Sequence, residues 1–517
     1  MNEVHNKPDD VTTISNGSDF ETAIAACGFG AFNVVLLLVS ALSIVATVFT
    51  SSTISYILPT AECDLHLSLI YKGLLNGIAY AGMIISAIPW GFVADTIGRR
   101  QVMISGLLFD AIFVTCCASS QNVQQLLTFK FFDGAAVSGP FAVVMSYLSE
   151  FHGFKHRPRI MMIIGMMKSL ATLILPIIAY VMLPYHIAWR TDYLRLHTWH
   201  FFLMVSAIPT LLGGVLNIFL PESPKFLMSQ GRNEDALKSF RVVYAMNKRK
   251  PKSSYPITQL VDEDPEKSQL NNLRNSEEYR ANIRTLADKR KEATKRFLEG
   301  LKQMQPMCAK PYFGLSVQVY FMLFCILLSL NTIRLWLPQL FATMVEYEQK
   351  KLGVGSMCAI LNYSLEKTKL LQKEKPTDEC DVHITPDSYT NNIIVAGSSF
   401  CGYFIATFTI NRVGSNNVLR VTLAIGFVSG ITLYWSYSSV MTLVIACVFI
   451  TALGVSSTTL IGVSVNLFPT SMRTMVVIMC MTFGRFGSLL GNLLFPYFIS
   501  LGCIPPFVFI GTIMFCK

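Results

Sequence analysis

Apolar residues do not alternate singly along this chain. They gather into long runs broken by short polar joints, and a helix needs about 20 such residues to cross a hydrocarbon core. Runs of that kind fall at 32–57, 73–94, 101–119, 124–149, 160–183 and 199–220. After a long polar stretch come 313–338, 392–411, 418–437, 440–463 and 472–498. A last run from Cys503 to Cys516 is short for a crossing, so a twelfth span is either clipped or cut off. The pattern predicts an all-α integral membrane protein. Its expected parts are a cytoplasmic tail over 1–20, an N-terminal bundle over 21–220 and a central cytoplasmic loop over 221–312. A C-terminal bundle over 313–517 would carry a polar insert at 345–391. The first run is too long for a cleaved signal peptide and reads as an anchor that stays in the bilayer.

Composition agrees with a lipid environment. Only 14% of the 517 residues are charged, against about 25% in average soluble proteins. The net charge of +10 does not form a nucleic-acid surface. Between Pro221 and Pro311 stand nineteen Lys/Arg against twelve Asp/Glu, so most of the excess lies in one polar loop. Positive loops stay on the cytoplasmic side, which places both termini there too. The insert at 345–391 has six Lys and eight Asp/Glu, as expected on the lumenal or extracellular side. It holds the sequon at Asn362 and two cysteines, Cys358 and Cys380, that an oxidising compartment could join. The thirteen cysteines include no C-x-x-C pair. No metal site, cofactor, nucleophile–base pair or phosphate loop is readable, so the expectation is not an enzyme.

One joint has its own chemistry. Gly91 to Arg100 reads G-x-x-x-D-x-x-G-R-R, with Gly91, Asp95, Gly98, Arg99 and Arg100 in register. Glycines permit a tight turn between helices, and Asp95 with the two arginines can tie neighbouring helix ends. Glu150 closes a run that is apolar up to that point, so it needs a cation, and Arg99, Arg100 and Arg157 are the candidates. Residues Phe131 to Phe151 carry a small-residue face, Gly134, Ala135, Ala136, Ser138 and Gly139, suited to close helix packing. From Arg280 to Met304 apolar residues recur at helical spacing, which predicts an amphipathic helix joining the two bundles.

The G-x-x-x-D-x-x-G-R-R joint resembles the signature loop of the major facilitator superfamily. The stretch Pro221-Glu222-Ser223-Pro224-Lys225-Phe226-Leu227 resembles its sugar-porter branch. Other stretches are similar to the synaptic vesicle glycoprotein 2 and related-protein group, and to its divergent insect members. They are Cys27 to Phe32, Phe132-Asp133-Gly134, Ser146 to Phe151, His197-Thr198-Trp199, Leu335-Trp336-Leu337-Pro338 and Asn466 to Arg473. The resemblance covers most of the chain from about residue 21. It implies two six-helix bundles with a site between them near the midplane, alternating access, and a plasma or synaptic vesicle membrane. The relatives' lumenal domain is larger than this insert. Departures are clear as well. Asn411 stands where the second copy of the loop has an acid. Leu330, Asn331, Ser457, Ile461 and Asn466 replace aromatic or acidic residues, and Ile44 to Thr53 holds hydroxyls where relatives carry acids.

Ionisable side chains inside spans are costly and so are functional candidates. They are Asp110, Asp133, Lys168, Arg334 and Arg485. Lys168 and Arg334 come from opposite bundles and would suit an anionic substrate, beside Asn331 and Trp336. Asp110 could instead neutralise one of them. Lys168 could equally snorkel to the cytoplasmic surface, and Arg334 could sit near the outer interface. Arg485 is expected at the inner part of its helix, against the signature joint. With Asp95, Arg99, Arg100, Glu150 and Arg157 it would form a cytoplasmic gate that breaks in the inward-facing state. The expected function is transport of a small organic solute by a monomer in the lipid bilayer. The alternative is a non-transporting scaffold or trafficking protein on the same fold.

Overall fold

A computed structural model describes residues 17–153, 157–185, 187–191, 195–261, 310, 312–350, 356–373, 386–468 and 473–513. Eleven helices among them are long and apolar enough to cross a bilayer. The first half contains α1 (Phe20–Cys27), α2 (Ala31–Asp64), α3 (Leu69–Ile97), α4 (Arg99–Cys117), α5 (Val123–Glu150), α6 (Arg157–Met182) and α7 (Thr198–Asn217). A small antiparallel hairpin, β1 (Trp189–Arg190) on β2 (Arg195–Leu196), pairs Trp189 with Leu196 between α6 and α7. The central segment starts with α8 (Pro224–Ser229) and α9 (Asn233–Lys248). The second half contains α10 (Phe313–Gln349), α11 (Met357–Lys373), α12 (Pro386–Val413), α13 (Ser415–Thr432), α14 (Ser439–Leu467), α15 (Arg473–Leu501) and α16 (Ile504–Ile513). The amphipathic helix expected over 280–304 lies outside the described residues.

Local signals start and pack these helices. Ser68, Asn122 and Ser438 each accept a hydrogen bond from the backbone N–H three residues on, which satisfies an otherwise orphaned donor. Within the first bundle α3 and α5 touch backbone to backbone. A Cβ at Gly82 would strike the Phe131 carbonyl, and one at Gly134 the Ala79 carbonyl. Trp90 Nε1 adds a 2.7 Å hydrogen bond to the Ala135 carbonyl.

Two helices run further than the apolar pattern suggests. α2 continues past residue 57 to Asp64, and α10 continues past Pro338 to Gln349. The extension of α2 brings Glu62 into the protein, where it meets the buried Lys72 of α3 at 2.6 Å. A charge that hydropathy assigns to a loop is therefore part of the packed interior. The insert is not irregular throughout, because α11 lies within it. The bridge expected between Cys358 and Cys380 is corrected: Cys358 is bonded to Cys503, with Cα atoms 5.2 Å apart. The physical reason is docking. The Met357 N–H donates to the Ser436 carbonyl, which holds the start of α11 on the turn between α13 and α14, and α16 packs against the same turn. Cys380 lies outside the described residues. Asn362 is exposed on α11.

The bundles meet through α2 with α10, α3 with α15, and α6 with α12. At Gly73 the α3 backbone lies against Asn492 and Pro496, and at Gly77 against Leu489. Asn76 Nδ2 donates to the Leu335 carbonyl at 3.4 Å, and Gln339 Nε2 donates to Glu62 at 3.3 Å. These contacts lie on the face away from the central segment or towards the midplane. At the other end of α3 a Cβ on Gly91 would meet nothing within 4 Å. The named contacts between the bundles therefore lie towards the end of α3 away from the central segment.

Candidate functional site

The signature joint is built around Gly98, whose φ of +114° favours glycine. A Cβ there would also run into the Glu222 carboxylate. Glu222 Oε1 accepts from the N–H groups of Arg99 and Arg100, each at 3.0 Å, and of Ser223 at 2.9 Å. An acid from the P-E-S-P stretch therefore sits on the N-terminus of α4, where the helix dipole favours it. Arg99 Nη1 donates to the Ala94 carbonyl at 2.9 Å and lies 3.3 Å from Asp95. Arg99 Nε lies 3.5 Å from Glu150, and the guanidinium stands over the Phe226 ring.

Several expected partners differ. Arg100 donates to the Asn217 and Ile218 carbonyls rather than to Glu150. Arg157 Nη2 reaches Glu21 at 2.5 Å, because α1 brings that acid to the start of α6. Gly91 lies inside α3 rather than in the turn. Asp95, Arg99 and Glu150 all belong to the first bundle, so their contacts brace one bundle and do not span two. Arg485 is not at the joint either. It crosses from α15 near the midplane to Ser138 Oγ at 3.1 Å and the Met83 carbonyl at 3.4 Å, over the Phe141 ring. Its helix meets α3 at that level, half a span away from Gly98.

Lys168 is exposed on α6. Arg334 is half-buried, with Nε unpartnered, and Lys168, Tyr56 and Tyr403 stand near it. Among the described residues neither cation has a carboxylate within ion-pair distance, and Arg485 has none. Asp110 neutralises neither of them, being enclosed in the first bundle beside Thr50. Asn331 is also turned away: its Nδ2 donates to Ser488 Oγ at 2.7 Å, which ties α10 to α15. Trp336 is buried against Phe495, with ring centroids 5.1 Å apart. The span cations without a carboxylate partner among the described residues are thus Lys168, Arg334 and Arg485, with Tyr56 and Tyr403 near Arg334. The two tyrosines carry no sequence signal beyond polar tips in apolar runs, and both went unnoticed for that reason.

Two relatives match this chain in sequence. Synaptic vesicle glycoprotein 2B of Homo sapiens is 31% identical over 44% of this chain and 34% of its own length. Synaptic vesicle glycoprotein 2A of Rattus norvegicus is 28% identical over 47% of this chain and 33% of its own. The matched stretch is about a third of the length of either relative. The family description Major Facilitator Superfamily matches residues 40–365, more than half of the chain. The chain belongs to the Major Facilitator Superfamily. Solved members of that superfamily share the arrangement described above. The xylose transporter XylE from E. coli, in a partially occluded inward open conformation, superposes with a TM-score of 0.62 at 13% identity. That match covers 94% of this chain and 97% of XylE. A crystal structure of the nucleoside transporter NupG gives a TM-score of 0.53 at 12% identity over 94% of this chain and 96% of its own. This is a multi-pass membrane protein of the major facilitator fold.

Proposed function

We propose that this chain carries a small anionic organic solute across a membrane by alternating access. The observation that supports it is the unneutralised positive charge between the bundles: Lys168, Arg334 and Arg485, each without a carboxylate among the described residues. Such charge is costly in a low-dielectric wall unless an anion shares the space. Tyr56 and Tyr403 offer hydroxyl groups beside it. Since positive loops stay inside, the central segment and both termini are cytoplasmic, and a cleft open towards them is an inward-facing one. The outer insert then faces a lumen or the cell exterior, where Asn362 is placed for glycosylation. The protein works as a monomer in a plasma or vesicle membrane. The relatives' names favour the vesicle.

The test is uptake by proteoliposomes offered carboxylates, organic phosphates, neutral sugars and nucleosides. An anion is expected to accumulate, and Lys168→Gln or Arg334→Gln to lower that uptake about tenfold or more, as loss of a charge-assisted contact implies. Accumulation of a neutral solute, indifferent to both substitutions, would overturn the anion reading. No movement of any solute by correctly inserted protein would leave the scaffold alternative, which the missing acid at Asn411 favours.

A further inference from the structure

Three charged side chains are enclosed in the first bundle, away from the cleft. Asp110 of α4 and Asp133 of α5 are wholly buried, and Lys130 of α5 is nearly so. Lys130 Nζ lies 2.5 Å from Asp133 Oδ2 and 3.4 Å from Thr53 Oγ1. One carboxylate is thereby matched by one ammonium. Asp110 has no cation of its own: its Oδ1 lies 3.3 Å from Thr50 Oγ1, and its Oδ2 has no partner.

Thr50 makes the count sharper. Its Oγ1 is also 3.2 Å from Asp133 Oδ1. A hydroxyl has one proton to give, so it can donate to only one of two carboxylates. The other contact is a hydrogen bond only if that carboxyl brings a proton itself. Asp133 is the carboxyl group paired with an ammonium, so the extra proton belongs on Asp110. Two like charges this close, with one cation between them, cannot both stand in an apolar interior.

The neighbours supply no other countercharge. α4 itself adds Cys117. α3 brings Lys72, already paired with Glu62, and α7 brings His200, which bonds the Ser120 carbonyl. At the head of α7 His197 pairs with Asp64. α2 offers only the hydroxyls of Thr50 and Thr53 at this level.

We propose that Asp110 is a proton-binding site whose occupancy couples to the movement of α2, a proposal that rests on the transporter reading. On binding, the Asp110 carboxylate takes a proton from hydronium and releases water, and the cluster passes from one negative charge to neutral. Thr50 then accepts from Asp110 and donates to Asp133. Without the proton its single hydroxyl hydrogen must serve one acid and leave the other bare. Thr50 stands on α2, which touches α10 of the other bundle. The charge state of Asp110 is thereby felt where the two bundles meet. The acid missing from the stretch Ile44 to Thr53 is replaced by one reached through Thr50.

Infrared difference spectra of the purified full chain in nanodiscs, titrated with alkali and with no solute present, test this. The protein is expected to show the C=O stretch of a buried protonated carboxyl group near neutral pH, lost at high pH. Asp110→Asn removes that band. Thr50→Val keeps it but moves its frequency, since the hydroxyl contact is gone. A band unchanged in Asp110→Asn, absent from the unmodified protein, or unmoved in Thr50→Val overturns the proposal. So does a band that sodium, but not choline, abolishes at fixed pH, because the site then takes a metal cation. The readout is separate from transport: a band without movement of any solute removes the transporter reading and leaves the proton site, and uptake without a band does the reverse.

Discussion

Glu222 shows how much one carboxylate can hold together. Its Oε1 accepts from three backbone N–H groups, two of them the first of α4, which no helical carbonyl can reach. Beside it the Tyr147 hydroxyl donates to the Pro221 carbonyl at 2.5 Å, so the P-E-S-P stretch is tied to both α4 and α5. Removing Glu222 leaves those donors half-buried and unpaired. Glu222→Ala is expected to cost about 1–3 kcal/mol of stability, read as a lower thermal midpoint in detergent. Glu222→Gln, which keeps an acceptor and loses the charge, should fall between the two. An unchanged midpoint in Glu222→Ala would remove the joint from the list of what stabilises the first bundle. The Asp95 side chain, by contrast, is largely exposed and pairs with Arg99 at 3.3 Å. An exposed pair of that kind contributes little to stability.

At the scale of elements, the helices were legible because each apolar run is long, and no soluble fold needs eleven of them. Their ends were less legible. Hydropathy stops at the first charge, whereas α2 keeps its hydrogen bonds through Glu62 because Lys72 on α3 neutralises it. The partner lies on the next helix, beyond the reach of a hydropathy count, whereas Lys130 and Asp133 pair at i,i+3 on α5. The signature joint could be read from its spacing, but its third member, Glu222, comes from a stretch more than a hundred residues away. Asn331 was misplaced because a position on a helix does not give its rotation about the helix axis. The cysteine pairing was misread for a related reason: proximity in sequence favoured Cys380, whereas docking of α11 favours Cys503. Peptide mapping without reduction is expected to recover a fragment linking Cys358 to Cys503, and Cys503→Ser to free Cys358 for alkylation. Recovery of a Cys358–Cys380 fragment instead would reject the tie between α11 and α16.

The whole molecule is two bundles that meet through α2 with α10, α3 with α15 and α6 with α12. Gly73 is where that contact is tightest, since any Cβ there meets the Asn492 carbonyl and Pro496 of the other bundle. Gly73→Leu should therefore disfavour the arrangement seen here and leave the outer half of the cleft accessible to water. A cysteine placed at Gln339, on the outer closure, should label with a membrane-impermeant thiol reagent faster in the Gly73→Leu background than in its absence. Equal labelling would show that the outer faces do not part. The Glu62–Lys72 pair and its link to Gln339 belong to the same closure, so opening it moves a matched pair of charges into water and no net charge with them.

The cations between the bundles are different, because they are unmatched. Lys168, Arg334 and Arg485 make the empty protein a bearer of net positive charge inside the hydrocarbon slab. A bilayer with an electrical potential across it acts on that charge, at about 2.3 kcal/mol per unit charge per 100 mV for a full traverse. Rocking of the bundles moves the charges through only part of the field, but the sign is fixed: an interior-negative voltage draws the empty form towards one of its two orientations. On the proposed reading, an anion lodged among the cations would cancel the pull. Loaded and empty forms of the same protein would then respond to voltage differently, although no dedicated voltage sensor is present among the described residues.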